Sequence, residues 1–465
     1  MGAHLSRTTR RIIPVALIVM ALLAGACSSG RGGDASPSPT TSGASSSTTG
    51  KFGTLDSPCG PGDAKGATDQ GVTDTAIQIG YGDDAGYQPS PGLDHQVSDG
   101  MKAFIKWCND QGGINGRTVE GTYYDAKVTE VTNVMTEACS KAFFLVGEYW
   151  VLDDGQETTR RGCGLPAVPA AAGTALFANA PLKWEPVPSA IDRASVYAGR
   201  QLQQMYPDET KKTGILWGDY AVIRDRKDQI NEAFTGIGWE FLPDCSVSYS
   251  ISGESDWKPF VQKLKDCGAE AVYWVGSPYP NFENVLDAAA QIDYHPIWYT
   301  DPNTYDESFR QWNTSGNADR VYMRQTFLPL EEADSAPAVQ QFLDLVDATG
   351  GDPNQQGMQA ASAFLLWATA TKACGSNVTR ACVGEELSKI HEWTGGGLHA
   401  PADPGNNEPS QCGMLLGMKG TTFVRLSPTE QGTFSCDPAN VFALSLTSDV
   451  LVRHNIGADR IAPLP

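Results

Sequence analysis

Between Asn109 and Asp125 the chain reads N-D-Q-G-G-I-N-G-R-T-V-E-G-T-Y-Y-D, and this run leaves few folds open. Just upstream, Met101, Phe104, Ile105 and Cys108 recur at helical spacing and form one apolar stripe. Gly112 and Gly113 then stop that helix, because glycine enters the left-handed stop conformation without steric cost. Asn115-Gly116 adds a tight turn. From Thr118 an extended run carries the chain to a carboxylate, Asp125. A helix, a double-glycine stop, a turn and a strand ending in an acid make half of a βαβ unit, which many α/β proteins share.

The N-terminus narrows the setting. Arg7, Arg10 and Arg11 precede an apolar run from Ile12 to Leu23, followed by A-G-A-C ending at Cys27. A basic region, a short apolar core and small residues before a cleavage point form a secretory signal. The cysteine directly after small residues resembles a bacterial lipoprotein signal, in which the Cys27 thiol is lipidated; Ala24 departs from the more usual leucine. About twelve apolar residues are too few to span a bilayer core of roughly 30 Å. Residues 28–54 are almost entirely Ser, Thr, Gly, Pro and Ala, a composition that cannot offset its own ordering entropy and reads as a tether.

Roughly 400 residues remain, too many for one average core and suited to two lobes. The formal charge of −20 argues against nucleic acid or an anionic surface as partner, since both need clustered Lys and Arg. Eleven cysteines less Cys27 leave ten, an even number for an oxidising compartment. Composition does not choose among their pairings. We expect sequential ones: Cys59–Cys108, Cys139–Cys163, Cys245–Cys267, Cys374–Cys382 and Cys412–Cys436. No C-x-x-C occurs and the six histidines are scattered, so no metal is expected.

Along the rest, short apolar strands open into polar or glycine-rich loops and alternate with helices. The pattern runs from Ala76 to Ala170, crosses a Pro-rich segment (Pro181 to Pro188), and begins again. We read a helix over Ser189 to Tyr206, further strands at 213–217, 271–276 and 296–300, and a hairpin from Met414 to Leu426. Such alternation predicts an α/β fold of two Rossmann-like lobes with parallel sheets. The expected division is 1–26 signal, 27–68 lipidated cysteine and tether, 69–185 plus about 330–410 N-terminal lobe, and 186–329 C-terminal lobe. The segment 411–465 has no clear lobe. Ligands in such sheets sit outside the carboxyl ends of the strands.

Export signal, two lobes and G-G-I-N-G-R together resemble the type I periplasmic solute-binding proteins, in the leucine/isoleucine/valine-binding branch. The likeness continues in K-K-T-G-I-L-W-G-D-Y at Lys211 to Tyr220, and from Ser255 to Gly276. It implies two lobes joined by a three-crossing hinge, closing on a small solute and then docking on an ABC permease, with no cofactor and as a monomer. Carried over position by position, it implies ligand contacts from Ala172 and Thr174, from Tyr220 in G-D-Y, and from Tyr279 and Asp301; Asp83 and Ser277 lie on comparable strand ends. Where relatives use a serine after the A-F-F-L-V-G strand, this chain has Glu148, Tyr149 and Trp150. Tyr149 and Trp150 either wall the cleft or pack beneath a loop. Asp301 either pairs a ligand ammonium or caps the next turn.

Two tempting motifs fail on context. G-Y-G-D-D-A at Gly80 fits a dinucleotide fingerprint, but it would set two acids against a pyrophosphate. S-x-x-K, S-x-N and K-T-G matches occur in the wrong order for a penicillin-interacting enzyme. The expected function is therefore capture of a small polar molecule (amino acid, amide or related amine) for an ABC importer. The alternative is a lipoprotein that senses the same ligand and signals to a membrane partner.

Overall fold

The computed structural model describes residues 50–276 and 280–445 of the 465. Cys27, Ser277 and Tyr279 lie outside the described residues.

The first described element is a two-residue-strand hairpin, β1 (Lys51–Phe52) and β2 (Leu55–Asp56). A βα alternation follows: β3 (Ala76–Asp83), α1 (His95–Asp110), β4 (Thr118–Asp125), α2 (Val131–Lys141), β5 (Phe144–Val146), α3 (Glu157–Gly162), β6 (Ala167–Val168) and α4 (Ala175–Ala178). These strands form a parallel sheet in the order β4-β3-β5-β6. A short strand β7 (Arg193–Ser195) and helix α5 (Tyr197–Met205) lead into a second alternation. It comprises β8 (Thr213–Gly218), α6 (Ala221–Gly236), β9 (Phe241–Tyr249), α7 (Lys258–Asp266), β10 (Ala271–Val275), α8 (Asn281–Gln291), β11 (Ile297–Thr300), α9 (Glu307–Trp312) and β12 (Val321–Gln325). The chain then builds α10 (Pro337–Asp347), α11 (Gln355–Ala373) and α12 (Arg380–Leu387), and ends with β13 (Cys412–Lys419), β14 (Thr422–Ser427), β15 (Ser435–Cys436) and β16 (Val441–Ala443).

The second sheet runs β9-β8-β10-β11-β12 in parallel and continues antiparallel into β13 and β14, with β15 on β13. Helices α10 and α11 pack on α1, so they return to the first lobe. The chain thus passes between the lobes three times: from β6 to β8, from β12 to α10, and from α12 to β13. Residues 412–436, whose lobe was open in the sequence, extend the second sheet. Within 189–206 the expected single helix is broken. Arg193–Ser195 instead pairs antiparallel with β16, because at a crossing the backbone needs partners that a helix end does not supply.

The signature run is architectural. Gly112 (φ +103) and Gly113 (φ +75) end α1, and a Cβ on Gly113 would lie 1.9 Å from the Arg117 carbonyl oxygen. Only glycine fits. Arg117 is fully buried and donates from Nε to the Thr73 carbonyl (2.9 Å) and from Nη2 to that of Gly66 (3.0 Å). Asn109 bonds both backbone groups of Val119, at 2.9 and 2.8 Å, which locks α1 to β4. None of these residues reaches the cleft described below.

Core packing follows the sequence pattern. Helix α11 is buried nearly all round, as expected of an apolar helix inside a large lobe. Phe52 of the opening hairpin inserts beside Phe104 and Trp107 of α1. The ten cysteines form five disulfides between consecutive cysteines: 59–108, 139–163, 245–267, 374–382 and 412–436. Four bind a helix to a neighbouring segment, and the fifth joins β13 to β15. No helix among the described residues is long and apolar enough to cross a membrane.

Candidate functional site

The carboxyl ends of both parallel sheets face one cleft between the lobes, the position that open α/β sheets use for ligands. Two adjoining cavities of about 220 Å³ each occupy it, sharing Tyr149, Val222, Ile223, Asn303 and Gln356. The first lobe contributes the loop after β3 (Tyr87 to Asp94), Val128 after β4, and Tyr149 and Val151 after β5. The second contributes Tyr220 and the start of α6, Ile251 to Glu254 after β9, and Asn281 and Asn284 of α8.

Of the sequence-predicted residues, Tyr149, Ala172, Thr174, Tyr220 and Asp301 line these cavities. Thr174 is fully buried, and its hydroxyl binds Asp153 while capping α4 through the Phe177 N–H. The Ala172 N–H donates to Glu185 Oε1 (3.0 Å), so the 172–174 loop offers the cleft shape more than free donors.

Three expectations are corrected. Trp150 is fully buried in the first-lobe core with its indole N–H toward the Tyr124 carbonyl (3.4 Å), and it lines neither cavity. Alternation along the chain explains this: Tyr149 points into the cleft and Trp150 under the loop. Asp83 is also fully buried and outside both linings. Its Oδ1 accepts Tyr123 Oη (2.7 Å) and the Ala85 N–H (3.0 Å), so it organises the strand end. Asp301 is not an unpaired carboxylate; it stands at the N-cap of the turn over Pro302–Thr304, but its side chain makes no capping hydrogen bond. Its Oδ1 accepts Arg324 Nε (2.7 Å) and Arg226 Nη2 (3.1 Å), and its Oδ2 accepts Tyr273 Oη (2.7 Å). Despite burial, the two guanidiniums hold its carboxyl well below the usual carboxylate range.

Several cleft residues escaped the sequence reading. Asp94 precedes α1 in the left-handed conformation (φ 60). Its Oδ1 accepts Gln356 Nε2 (2.5 Å), and its Oδ2 is buried without a partner among the described residues. Burial pushes this carboxyl up to about 7. Val128 (φ 66) is a β-branched residue in a region that such residues avoid. Buried Asp84 holds it there by accepting the Val128 N–H (2.5 Å) on one oxygen and the Val151 N–H (2.7 Å) on the other. One carboxylate thereby fixes two cleft loops. Asp94 lies immediately before α1 and Val128 three residues past β4, and neither position carried a sequence signal of its own.

Ser362 Oγ and His399 Nε2 lie 2.8 Å apart, the spacing of a nucleophile–base pair. Both are buried in the first-lobe interior away from the cleft, and the Trp393 indole donates to the same hydroxyl (2.9 Å). The contact serves packing.

The comparisons agree with this geometry. The family model described as "Periplasmic binding protein" matches residues 89–422. The chain belongs to the periplasmic binding protein family. That family consists of non-catalytic solute-binding proteins, and the fold is its type I architecture. The binding protein is similar in structure to a fatty acid ABC transporter substrate-binding protein from Thermomonospora curvata (TM-score 0.66, 14% identity, 81% of this chain and 100% of that one). It is likewise similar to LivJ from Streptococcus pneumoniae in complex with isoleucine (0.59, 16%, 76% and 100%). A solute-binding protein from R. palustris in complex with benzoate gives 0.62, 17%, 78% and 98%. No curated protein sequence matches.

Behind the cleft the binding protein carries one costly group. Glu148, just after β5, is 1% exposed and has no partner for either carboxyl oxygen among the described residues. Burial pushes it up to about 8. A carboxyl raised on folding stabilises most while protonated; the contribution is complete below its unfolded value and is lost as pH rises toward the folded one. Glu148→Gln should therefore leave the melting temperature unchanged at pH 4. At pH 8 it should stabilise by roughly 3 kcal/mol. Identical effects at both pH values would show that Glu148 is not desolvated.

Proposed function

We propose that this chain is an exported lipoprotein, anchored through Cys27, that captures a small molecule between its lobes and delivers it to an ABC permease. The observation that carries this reading is the cleft itself, lined from both sides by the carboxyl ends of two parallel sheets that a three-crossing hinge connects. A solute touching Tyr149 on one lobe and Tyr220 on the other favours the closed state by its contacts with both. The volume suits one small molecule with a compact body and a polar head. Amino acids fit that description, among them the isoleucine held by one relative, and so does the benzoate held by another.

The test is chemical. The protein is purified from its native membrane without added ligand and denatured, and the released small molecules are identified by mass spectrometry. One species at near-stoichiometric amount supports the reading, and a Cys27→Ser variant should appear in the soluble fraction. No released or added small molecule, together with unchanged partitioning of Cys27→Ser, would contradict it.

A further inference from the structure

The second cavity is balanced in charge: Arg226 and Arg324 share its lining with Asp225 and Asp301, and Arg193 pairs with Glu408 at 2.6 Å. The first cavity differs. Its described lining holds no Lys or Arg, and its two carboxyls are Asp94 from the first lobe and Glu254 from the second. Glu254 serves its own loop, where Oε1 accepts the Ser250 N–H (2.9 Å).

Asp94 is held from two sides. Its backbone adopts φ 60 ahead of α1, a conformation that aspartate and asparagine tolerate best among residues with a Cβ. From α11, Gln356 donates to Oδ1 (2.5 Å), and its own amide oxygen accepts Asn354 Nδ2 (3.3 Å), which sets the amide in one orientation. Oδ2 is left sealed from solvent and without a partner among the described residues. A buried carboxyl oxygen that lacks a hydrogen bond is costly, and a donor reaching it removes that cost. Around Asp94 the lining is mostly aromatic and apolar, from Tyr87, Leu93, Tyr149, Tyr220 and Ile251. Asn303 donates to the Gly276 carbonyl (3.0 Å), so what it has left for the cavity includes a second acceptor, its amide oxygen.

We propose that Asp94 is a specificity-determining residue of the cleft: its unpaired oxygen accepts a hydrogen bond from the solute, whose head is an N–H or O–H donor on an apolar or aromatic body. This rests on the solute-binding reading above and fixes one end of the solute in the first cavity. A head with no hydrogen to donate leaves Oδ2 unpaired, and an acceptor head meets it lone pair to lone pair.

A donor favours the ionised carboxyl, so capture is coupled to a proton. Without solute, burial holds the Asp94 carboxyl up at about 7, with Asp84 and Asp83 adding to the rise and the Gln356 hydrogen bond and His95 opposing it. Tyr149 also faces it, with a phenol that burial and Asp94 raise, and Tyr220 and Glu254 line the same cavity from the second lobe. Capture by the ionised form therefore releases a proton. Affinity is full above pH 7 and falls as pH drops through it, approaching about tenfold per unit.

The test is a titration panel on the whole protein from pH 5 to pH 8, in matched pairs where methylation removes the donor. The pairs are phenethylamine and its trimethylammonium, 2-phenylethanol and its methyl ether, and L-phenylalanine and its trimethyl betaine. In at least one pair the donor should bind at least tenfold more tightly than its methylated partner, and the pair that does so tells an ammonium head from a hydroxyl one. Asp94→Asn suits the left-handed backbone and keeps an acceptor for Gln356, but turns an amide N–H toward the cavity. It should weaken the donor at least tenfold and flatten the pH profile, with an unliganded melting temperature no lower than wild type at pH 7. His95→Gln removes the adjacent titrating imidazole and should keep the profile. A methylated member binding as tightly as its donor, or unchanged affinity in Asp94→Asn, overturns the assignment and leaves solute binding standing. A pH profile that persists in Asp94→Asn overturns the coupling. If no member binds, the donor-head assignment falls, and identification of the released molecule by mass spectrometry decides the broader reading separately.

Discussion

Gly173→Leu should weaken solute binding at least a hundredfold, about 2.7 kcal/mol, while leaving the unliganded protein nearly as stable as before. The residue sits on the first lobe, and a Cβ built on it would lie 3.2 Å from Val222 Cγ2 on the second. A methyl there needs a few tenths of an ångström, which a small adjustment supplies. A leucine needs far more, and what must give way is the opposing lobe. Because a solute binds tightly only when both lobes touch it, a wedge that disfavours closure lowers apparent affinity by the fraction of closed protein it removes. Removing the obstacle from the other side, with Val222→Ala in the Gly173→Leu background, should recover part of the loss; the double-mutant cycle measures the contact. Wild-type affinity in Gly173→Leu would mean that closure does not pass through this contact.

Glu185→Ala should cost about 3–5 kcal/mol of stability, the range for stripping one partner from a buried ion pair. Glu185 and Lys183 lie on the first crossing, 1% and 0% exposed at the side chain, and are joined at 3.1 Å. Glu185 also accepts the Ala172 N–H (3.0 Å) and both the backbone and hydroxyl of Ser189 (3.1 and 3.0 Å). Lys183 donates onward to Asn407 Oδ1 (3.0 Å), which belongs to the third crossing. One carboxylate therefore ties two crossings to a cleft loop. Its loss leaves an ammonium buried with a single neutral acceptor and two freed backbone donors. Urea unfolding, read by the earliest transition, is the measurement. A midpoint within error of wild type would remove this cluster from the hinge. Since the same residue positions the 172–174 loop, solute affinity should fall as well.

The two predictions rest on residues of very different legibility. Periodicity and punctuation gave the lobes: the strands expected at 213–217, 271–276 and 296–300 are β8, β10 and β11, and the 414–426 hairpin became β13 and β14. Local chemistry dominates there, since apolar spacing and glycine turns act over a few residues. Tyr149 and Tyr220 were legible for a related reason, because a strand end in a parallel sheet marks a cleft position. Two of the failures share one cause. Asp301 was read as an available carboxylate because Arg226, 75 residues before it, and Arg324, 23 after it, approach only in the folded sheet. Gln355, Gln356 and Gln359 enter the cleft because α11 returns to the first lobe after the whole second lobe is built. Trp150 was misplaced by one step of alternation, which no composition reveals. Charge pairing is a property of the assembled site, so a carboxylate can be taken up by distant arginines without any change in the motif that located it.

The central claim is that both lobes grip one solute. Isothermal titration of the molecule released from the native protein tests this most directly, in wild type and in Tyr149→Ala and Tyr220→Ala, one variant from each lobe. The account predicts a single site per chain, weakened tenfold or more by either change, at least roughly 1.4 kcal/mol each. Full affinity in either variant, or more than one solute per chain, would contradict it.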